Sequence, residues 1–259
     1  NPAVVYCAIS GYGQTGPYAN LPGHDLNYIS VSGALGMIGW PGQPPAIPIN
    51  VLADFAGGGL FAAFSILAAV VSRQRTGTGQ YIDMAMSDGT MSLACLAASD
   101  YYSSGDPPRP GEYYLNGAYP CYNVYETRDG RWLSLACMEP WFWKNLCELF
   151  GCEQYTEHQF NADKFPEILE LLRRRFREKD RDVWFAELSA RDICATPVYG
   201  LEEALADPHN RSRGMVTTLE HPKYGTIPQI GVAPKFSATP GRVRTLAPTP
   251  GENTREVLL

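Results

Sequence analysis

The sequence contains few histidines and carries no excess of positive charge. It has 4 histidines among 259 residues, and 21 lysines and arginines against 27 aspartates and glutamates give a net charge of −6. Nucleic-acid binding needs clustered basic charge, so we expect no nucleic-acid partner. The histidines lack the spacing of metal ligands, so we expect no metal site. They are His24, His158, His209 and His221.

Paired cysteine motifs are also absent. The seven cysteines are an odd number without a CxxC pair, and Cys95 and Cys137 lie in apolar contexts. These features favour reduced core thiols and an intracellular, reducing compartment. We expect a cytoplasmic location if the protein is bacterial, and otherwise a peroxisomal or mitochondrial one.

Long hydrophobic runs are absent as well. The longest apolar stretch, residues 60–72, is too short for a membrane span and predicts a buried helix, so we expect no membrane partner. The chain starts at Asn1 and runs directly into a strand pattern. We therefore expect an N-terminal part, with any targeting signal, to be missing from this chain.

The chain has the pattern of an α/β fold in its first hundred residues. Residues 4–10 predict a strand, Asp25 an N-cap of a short helix, Asp54 an N-cap of a longer helix, and residues 80–86 a second strand. Strand and helix thus alternate, which is typical of an α/β layer.

Composition predicts the domain organisation. We expect a large α/β domain, partial here, at residues 1–102, and a Pro- and Gly-rich linker at 103–120. A hairpin turning at Asp129-Gly130, followed by amphipathic helices, predicts a small α+β domain over residues 121–212. Residues 213–259 are expected to return to the large domain in short strands.

The segment Gly11–Gly16 matches the dinucleotide pattern GxGxxG after a strand. However, Pro17 and a polar stretch follow it instead of a helix, so no helix N-terminus is expected to hold a pyrophosphate. We therefore do not expect NAD or FAD binding.

Three residues are candidates for acid/base chemistry. His24 lies at a predicted loop-to-helix junction, Asp54 at a glycine-rich helix start, and Glu139 between a strand and an aromatic helix. Each also has a purely structural interpretation: a surface histidine, a simple N-cap, and an acidic residue before Pro140.

Six sequence blocks closely resemble the family III CoA-transferase (CaiB/BaiF) superfamily, in its α-methylacyl-CoA racemase branch. They are "NPAVVYCAISGYGQTGP", "GHDLNYISVSG", "ADFAGGG", "RQRTGTGQYIDMAMSDG", "YNVYETRDGRWLSLACMEPWFW" and "GENTREVL". The resemblance implies a Rossmann-like large domain, a smaller α+β domain and an interlocked homodimer. It also implies an acyl-CoA substrate and no separate cofactor.

The resemblance assigns roles to the three candidates. Asp54 matches an aspartate that is acylated in the transferases and transfers protons in the racemases, whereas His24 and Glu139 match the racemase branch. Racemisation beside a thioester requires proton transfer on both faces of the carbon, which we expect from His24 and Asp54, with Glu139 orienting the imidazole.

Neighbouring residues complete the expected site. Backbone N–H groups of Gly57, Gly58 and Gly59, at the helix start, are expected to stabilise the enolate. The residues expected to bind the thioester end of the acyl-CoA are Gly23, Asp25, Leu26, Asn27 and Tyr28.

The sequence leaves alternatives open. The first is a CoA-transferase that moves CoA between carboxylic acids through an Asp54 intermediate, and another is a non-catalytic subunit. Ala118 and Tyr119 depart from the racemase pattern, in which a glycine and a small residue are usual, and this bears on substrate size.

Overall fold

The computed structural model describes residues 1–221 and 223–259. It has a mixed α/β fold that divides into two compact units, Asn1–Pro197 and Val198–Leu259. The boundaries expected from composition, with a linker at 103–120, stay a prediction.

The first part of unit Asn1–Pro197 is built on two parallel strands. Strand β1 (Tyr6–Ser10) pairs with β2 (Tyr81–Ala85). Parallel strands need a crossover connection, and here it contains helix α1 (Asp25–Val31), a 3₁₀ turn (Leu35–Met37) and a long helix. The predicted order of strand, helix and strand is confirmed.

The long helix begins as a π-helix over Val51–Leu60 and continues as α2 (Phe61–Thr76), ending at Gly77 with φ +75°. Its N-cap is Asn50, so the prediction that Asp54 caps this helix is wrong, and Asp54 lies within the first turn. The helix can start earlier because the proline-rich segment ends at Pro48 and the apolar pattern resumes at once.

The length prediction for this helix is also wrong. Val51–Thr76 forms 26 continuous helical residues whose most apolar stretch has a mean hydropathy of 2.0, with 22% of that stretch buried. By length and composition alone, this helix could cross a membrane.

Helix α3 (Met86–Leu93), followed by α4 (Cys95–Ser104), packs closely on the long helix. A Cβ on Gly57 would lie 2.5 Å from Thr90 Oγ1, and a Cβ on Gly89 would lie 1.9 Å from the Gly57 carbonyl oxygen. The two backbones approach each other at glycines because a side chain there would have no space.

The second part of this unit contains a three-stranded antiparallel sheet. Its order is β3 (Tyr122–Glu126), β4 (Trp132–Ala136) and β5 (Ala195–Pro197). The β3–β4 turn contains Gly130 at φ +71°, a left-handed conformation that glycine favours, so the predicted hairpin is confirmed. The helices of this part are α5 (Pro140–Phe150), α6 (Phe165–Phe176) and α7 (Arg181–Ser189), with 3₁₀ turns at Glu153–His158 and Ala162–Lys164.

The main core lies between this sheet and these helices. Tyr125 stacks on Phe176 at a centroid distance of 4.8 Å, and Phe150 and Trp184 close the aromatic group. Fully buried aliphatic residues surround it, namely Leu133, Leu146, Leu172 and Leu188. Burial of this apolar surface is the main stabilising contribution.

All seven cysteines are free thiols. Cys121, Cys137, Cys147 and Cys152 are buried in the main core, as expected of reduced thiols, whereas Cys95 and Cys194 are exposed. The prediction of a core position for Cys95 is therefore wrong, because the apolar face of α4 that carries it is open.

Unit Val198–Leu259 contains α8 (Leu201–Ala206), α9 (Pro208–Ser212), an antiparallel hairpin and α10 (Thr254–Leu258). The hairpin pairs β6 (Val216–His221) with β7 (Gly225–Ile230). The short strands predicted for the tail are confirmed.

Candidate active site

His24 is the N-cap residue of α1, with extended backbone at φ −132°. The Asn27 side-chain oxygen accepts a hydrogen bond from the His24 backbone N–H at 3.1 Å, which satisfies a donor at the helix start. The expectation that Asp25 caps this helix is wrong by one residue. The His24 side chain is exposed and therefore open to a substrate.

The buried Tyr28 side chain stabilises the turn that precedes α1. It is buried, its hydroxyl donates to the Gly23 carbonyl, and its ring packs edge-on against Tyr12 at 5.0 Å. A Cβ on Gly11 would lie 2.2 Å from the Tyr28 ring, so glycine is required there. Burial, followed by the charges of Tyr12 and Asp54, raises the pKa of Tyr28, so the hydroxyl stays a hydrogen-bond donor near Asp54.

Asp25 links α1 to the long helix. Its carboxylate Oδ1 accepts hydrogen bonds from the backbone N–H groups of Ala53 at 2.7 Å and Asp54 at 2.8 Å, and the residue is only 5% exposed. These amides belong to the first turn of the helix, where unpaired N–H groups and the helix dipole favour a negative charge. The protein's own carboxylate thus occupies the anion-binding end of the helix.

This arrangement corrects the predicted placement of the enolate-stabilising amides. Gly57, Gly58 and Gly59 do not open the helix but lie in its second turn, where N–H groups bond within the helix. Gly57 and Gly58 are buried, and a Cβ on either would collide with Met86 or Thr90 of α3. The structure thus gives these two glycines a packing role.

The Asp54 carboxylate is partly exposed and has a local partner. Its Oδ2 accepts a hydrogen bond from the Asn50 side-chain amide at 3.1 Å. Sequence reasoning missed Asn50. The signal that could have revealed it is an amide four residues before a carboxylate, the spacing that brings side chains together on one helix face.

Glu139 is the N-cap residue of α5 and is exposed. In the part of the chain that the structure describes, no hydrogen bond joins it to His24 or Asp54. Its convergence with them stays a prediction. Next to it lies a cleft of about 720 Å³ lined by Pro140, Trp141, Lys144, Thr156, Glu157, Gln159, Phe160 and Asn161.

The other predicted residues are placed as follows. Leu26 and Asn27 are exposed on α1, and the Asn27 side chain is engaged in capping. After Gly16 the next helix is α1, which begins at Asp25, so no helix follows the glycine segment directly; the absence of NAD or FAD binding stays a prediction. Among residues 1–221 and 223–259, no group of three or more His, Cys, Asp or Glu side chains could hold a metal ion.

The family model described as CoA-transferase family III matches residues 1–254. The chain belongs to CoA-transferase family III. The resemblance drawn from the six sequence blocks is confirmed.

Relatives within CoA-transferase family III include both activities considered above. The chain is 37% identical over 262 residues to the human protein named alpha-methylacyl-CoA racemase, covering 100% of this chain and 67% of the relative. It is 30% identical over 268 residues to the succinate–glutarate CoA-transferase of Agrobacterium fabrum, covering 100% of this chain and 65% of that one.

A solved CaiB/BaiF family structure from Brucella suis is 27% identical and superposes with a TM-score of 0.82. The match covers 100% of this chain and 68% of that protein. The expected mixed α/β fold of the family is thereby confirmed.

Proposed function

We propose that the protein is an α-methylacyl-CoA racemase that interconverts the (R) and (S) forms of 2-methylacyl-CoA thioesters. The observation that carries this proposal is that the Asp25 carboxylate joins the turn bearing His24 to the turn bearing Asp54. The two residues stand at the first turns of two helices that the Asp25 carboxylate connects directly. The 37% identity to the human racemase supports the same assignment.

The reaction moves a proton off one face of the α-carbon and returns a proton to the other face. One of His24 and Asp54 removes the proton to give an enolate, and the other protonates the opposite face, with the roles exchanged in the reverse direction. Both side chains reach solvent, which such a substrate needs. The amides of Ala53 and Asp54 bind Asp25 and are not available to the enolate. Other hydrogen-bond donors must therefore stabilise the enolate charge.

Glu139 would orient the His24 imidazole by binding its second nitrogen. We propose that this contact is made between subunits of an interlocked homodimer, built from a Rossmann-like large domain and a smaller α+β domain. Support comes from the lack of a hydrogen bond between Glu139 and His24 within the described part of one chain. Apolar side chains of α2 also remain open for a partner copy, including Phe64 at 69% and Leu67 at 66% exposure.

We further propose that the substrate is the only CoA-containing ligand and that no separate cofactor takes part. Buried free thiols support an intracellular, reducing location, cytoplasmic in a bacterium and otherwise peroxisomal or mitochondrial.

We also propose that the long helix does not cross a membrane. Asp54 in its first turn and the tight glycine contacts with α3 support a place inside a protein interface.

The deciding experiment uses the complete protein and 2-methylacyl-CoA in deuterated water, without any acceptor acid. We expect deuterium to appear at the α-carbon together with loss of optical purity. NMR measures the first change and chiral analysis the second. His24→Ala should reduce racemisation by about 1,000-fold, in the range of lost general acid/base catalysis.

A family III CoA-transferase would behave differently, and the Agrobacterium relative makes it the second candidate. Transfer of CoA to an added carboxylic acid, an acyl adduct trapped on Asp54 and an almost unaffected His24→Ala variant would replace the racemase by the transferase.

A further inference from the structure

The Asp25 side chain connects the two turns that carry His24 and Asp54. It directly follows His24 in the chain, and its carboxylate binds the backbone N–H groups of Ala53 and Asp54. One short side chain therefore ties the turn that carries the imidazole to the helix turn that carries the second acid/base group.

The environment of this carboxylate makes the tie rigid. Asp25 is 5% exposed, and among the residues that the structure describes no lysine or arginine forms an ion pair with it. The helix amides are the polar groups that compensate for its burial. Separating a buried carboxylate from its hydrogen-bond donors costs a large amount of free energy. Movement of Asp25 away from Ala53 and Asp54 is therefore strongly opposed.

We infer that Asp25 is a positioning residue whose side chain fixes the position of His24 relative to Asp54. This inference rests on the proposed racemase function. Its buried side chain is turned toward the long helix, and the acyl-CoA contact expected of this residue from the sequence stays a prediction.

A positioning role of Asp25 has a kinetic signature that a merely stabilising role lacks. Exchange of the α-proton with solvent needs one correctly placed base, whereas racemisation needs two groups held on opposite faces of the same carbon. Loosening the tie should therefore slow racemisation much more than exchange.

The test measures both rates for the complete protein in deuterated water with one pure enantiomer of 2-methylacyl-CoA. For Asp25→Ala we expect racemisation to fall about 100-fold, the effect of misplacing a catalytic group by about 1 Å, and exchange to fall less than tenfold. Asp25→Asn keeps an oxygen that accepts both N–H bonds. The ratio of racemisation to exchange in this variant should therefore stay close to the wild-type ratio.

Leu188→Ala is the matched control for lost stability, because Leu188 is fully buried in α7 within the main core. It should lower both rates equally. If Asp25→Ala does not fold, Asp25→Ser, which is also too short to reach the amides, takes its place. Equal loss of both rates in the truncated variant would overturn the inference. The same holds if racemisation falls relative to exchange as much in Asp25→Asn as in the truncated variant.

Failure of the underlying function gives a different result. If the wild-type protein exchanges no α-proton in the absence of an acceptor acid, the racemase proposal fails before any Asp25 variant is compared.

Discussion

At the scale of single residues, Asn50 is the direct partner of the Asp54 carboxylate. Removing its amide takes away one charge-assisted hydrogen bond of 3.1 Å at a partly exposed site. We expect Asn50→Ala to lower kcat about fivefold, because such a bond contributes about 1 kcal/mol. Steady-state kinetics in both directions check this, with KM changing less than kcat.

Asn253→Ala is the matched control. The Asn253 side chain donates to Glu256 at 3.3 Å, an amide-to-carboxylate contact at the start of the short helix α10 in the unit Val198–Leu259. An equal loss of kcat in both variants would show that the effect of Asn50 is not specific to Asp54.

At the candidate site, the local position of a residue was easier to predict from the sequence than the direction of its side chain. His24 lies at a helix start as expected, because capping and turn preferences are local, whereas Asp54 lies in the first turn of a helix that begins earlier, at Val51. The sequence pattern could not show that Asp25 faces the amides of Ala53 and Asp54, since that contact joins residues 28 and 29 positions apart. Such contacts depend on how two helices pack and not on local preference.

At the scale of secondary-structure elements, the crossing of the long helix with α3 depends on Gly57. A Cβ there would lie 2.5 Å from Thr90 Oγ1 and 2.7 Å from Thr90 N, so the helices must move apart. We expect Gly57→Ala to lower the free energy of unfolding by about 2 kcal/mol, as overpacking does. Urea denaturation followed by circular dichroism measures this change.

Gly59→Ala is the control on the same helix. A Cβ on Gly59 would meet only the Asp54 carbonyl oxygen, at 3.4 Å. Alanine favours helix over glycine by about 1 kcal/mol, so this variant should be as stable as the wild type or more stable. A stability loss as large as that of Gly57→Ala would contradict the packing explanation.

Most elements were predictable from local patterns, but the beginning of the long helix was not. The strands Tyr6–Ser10 and Tyr81–Ala85 and the hairpin around Gly130 follow alternation and turn preferences. The π-helical Val51–Leu60 has no comparable sequence signal, and it packs closely on α3, which is distant in the sequence.

At the scale of the whole molecule, buried thiols set an alkaline limit to stability. Burial raises the pKa of Cys121 from 9.0 to about 11 and that of Cys137 to about 12. The folded protein keeps these protons above pH 9 while the unfolded chain loses them. Their contribution to stability is therefore complete below pH 9 and decreases as pH rises toward 11 and 12.

We expect the free energy of unfolding to fall by an amount on the order of a few kcal/mol between pH 8.5 and pH 10.5. Urea titrations at several pH values measure this dependence. The double variant Cys121→Ala with Cys137→Ala should show a smaller pH dependence, and Cys95→Ser, at an exposed thiol, should leave it unchanged. An equal slope in the double variant and the wild type would contradict the role of these thiols.

The proposed interlocked dimer predicts complementation between two defective variants. In a mixed dimer of His24→Ala and Glu139→Ala, one site receives an intact His24 from one chain and an intact Glu139 from the other. Random mixing of refolded chains should restore about one quarter of wild-type activity, since half of the dimers are mixed and each has one complete site. Activity no higher than the sum of the two variants would mean that both residues act within one subunit.

The parallel pairing of β1 with β2 also determines when the chain can begin to organise during synthesis. Tyr6 pairs with Tyr81, whereas the β3–β4 hairpin joins neighbours such as Glu126 and Trp132. Closing a long loop costs more entropy than closing a short one, so distant pairing forms slowly. On the ribosome, β1 must wait for residues up to Ala85 to emerge before it can pair, and until then its backbone N–H and C=O groups that face β2 lack their partners.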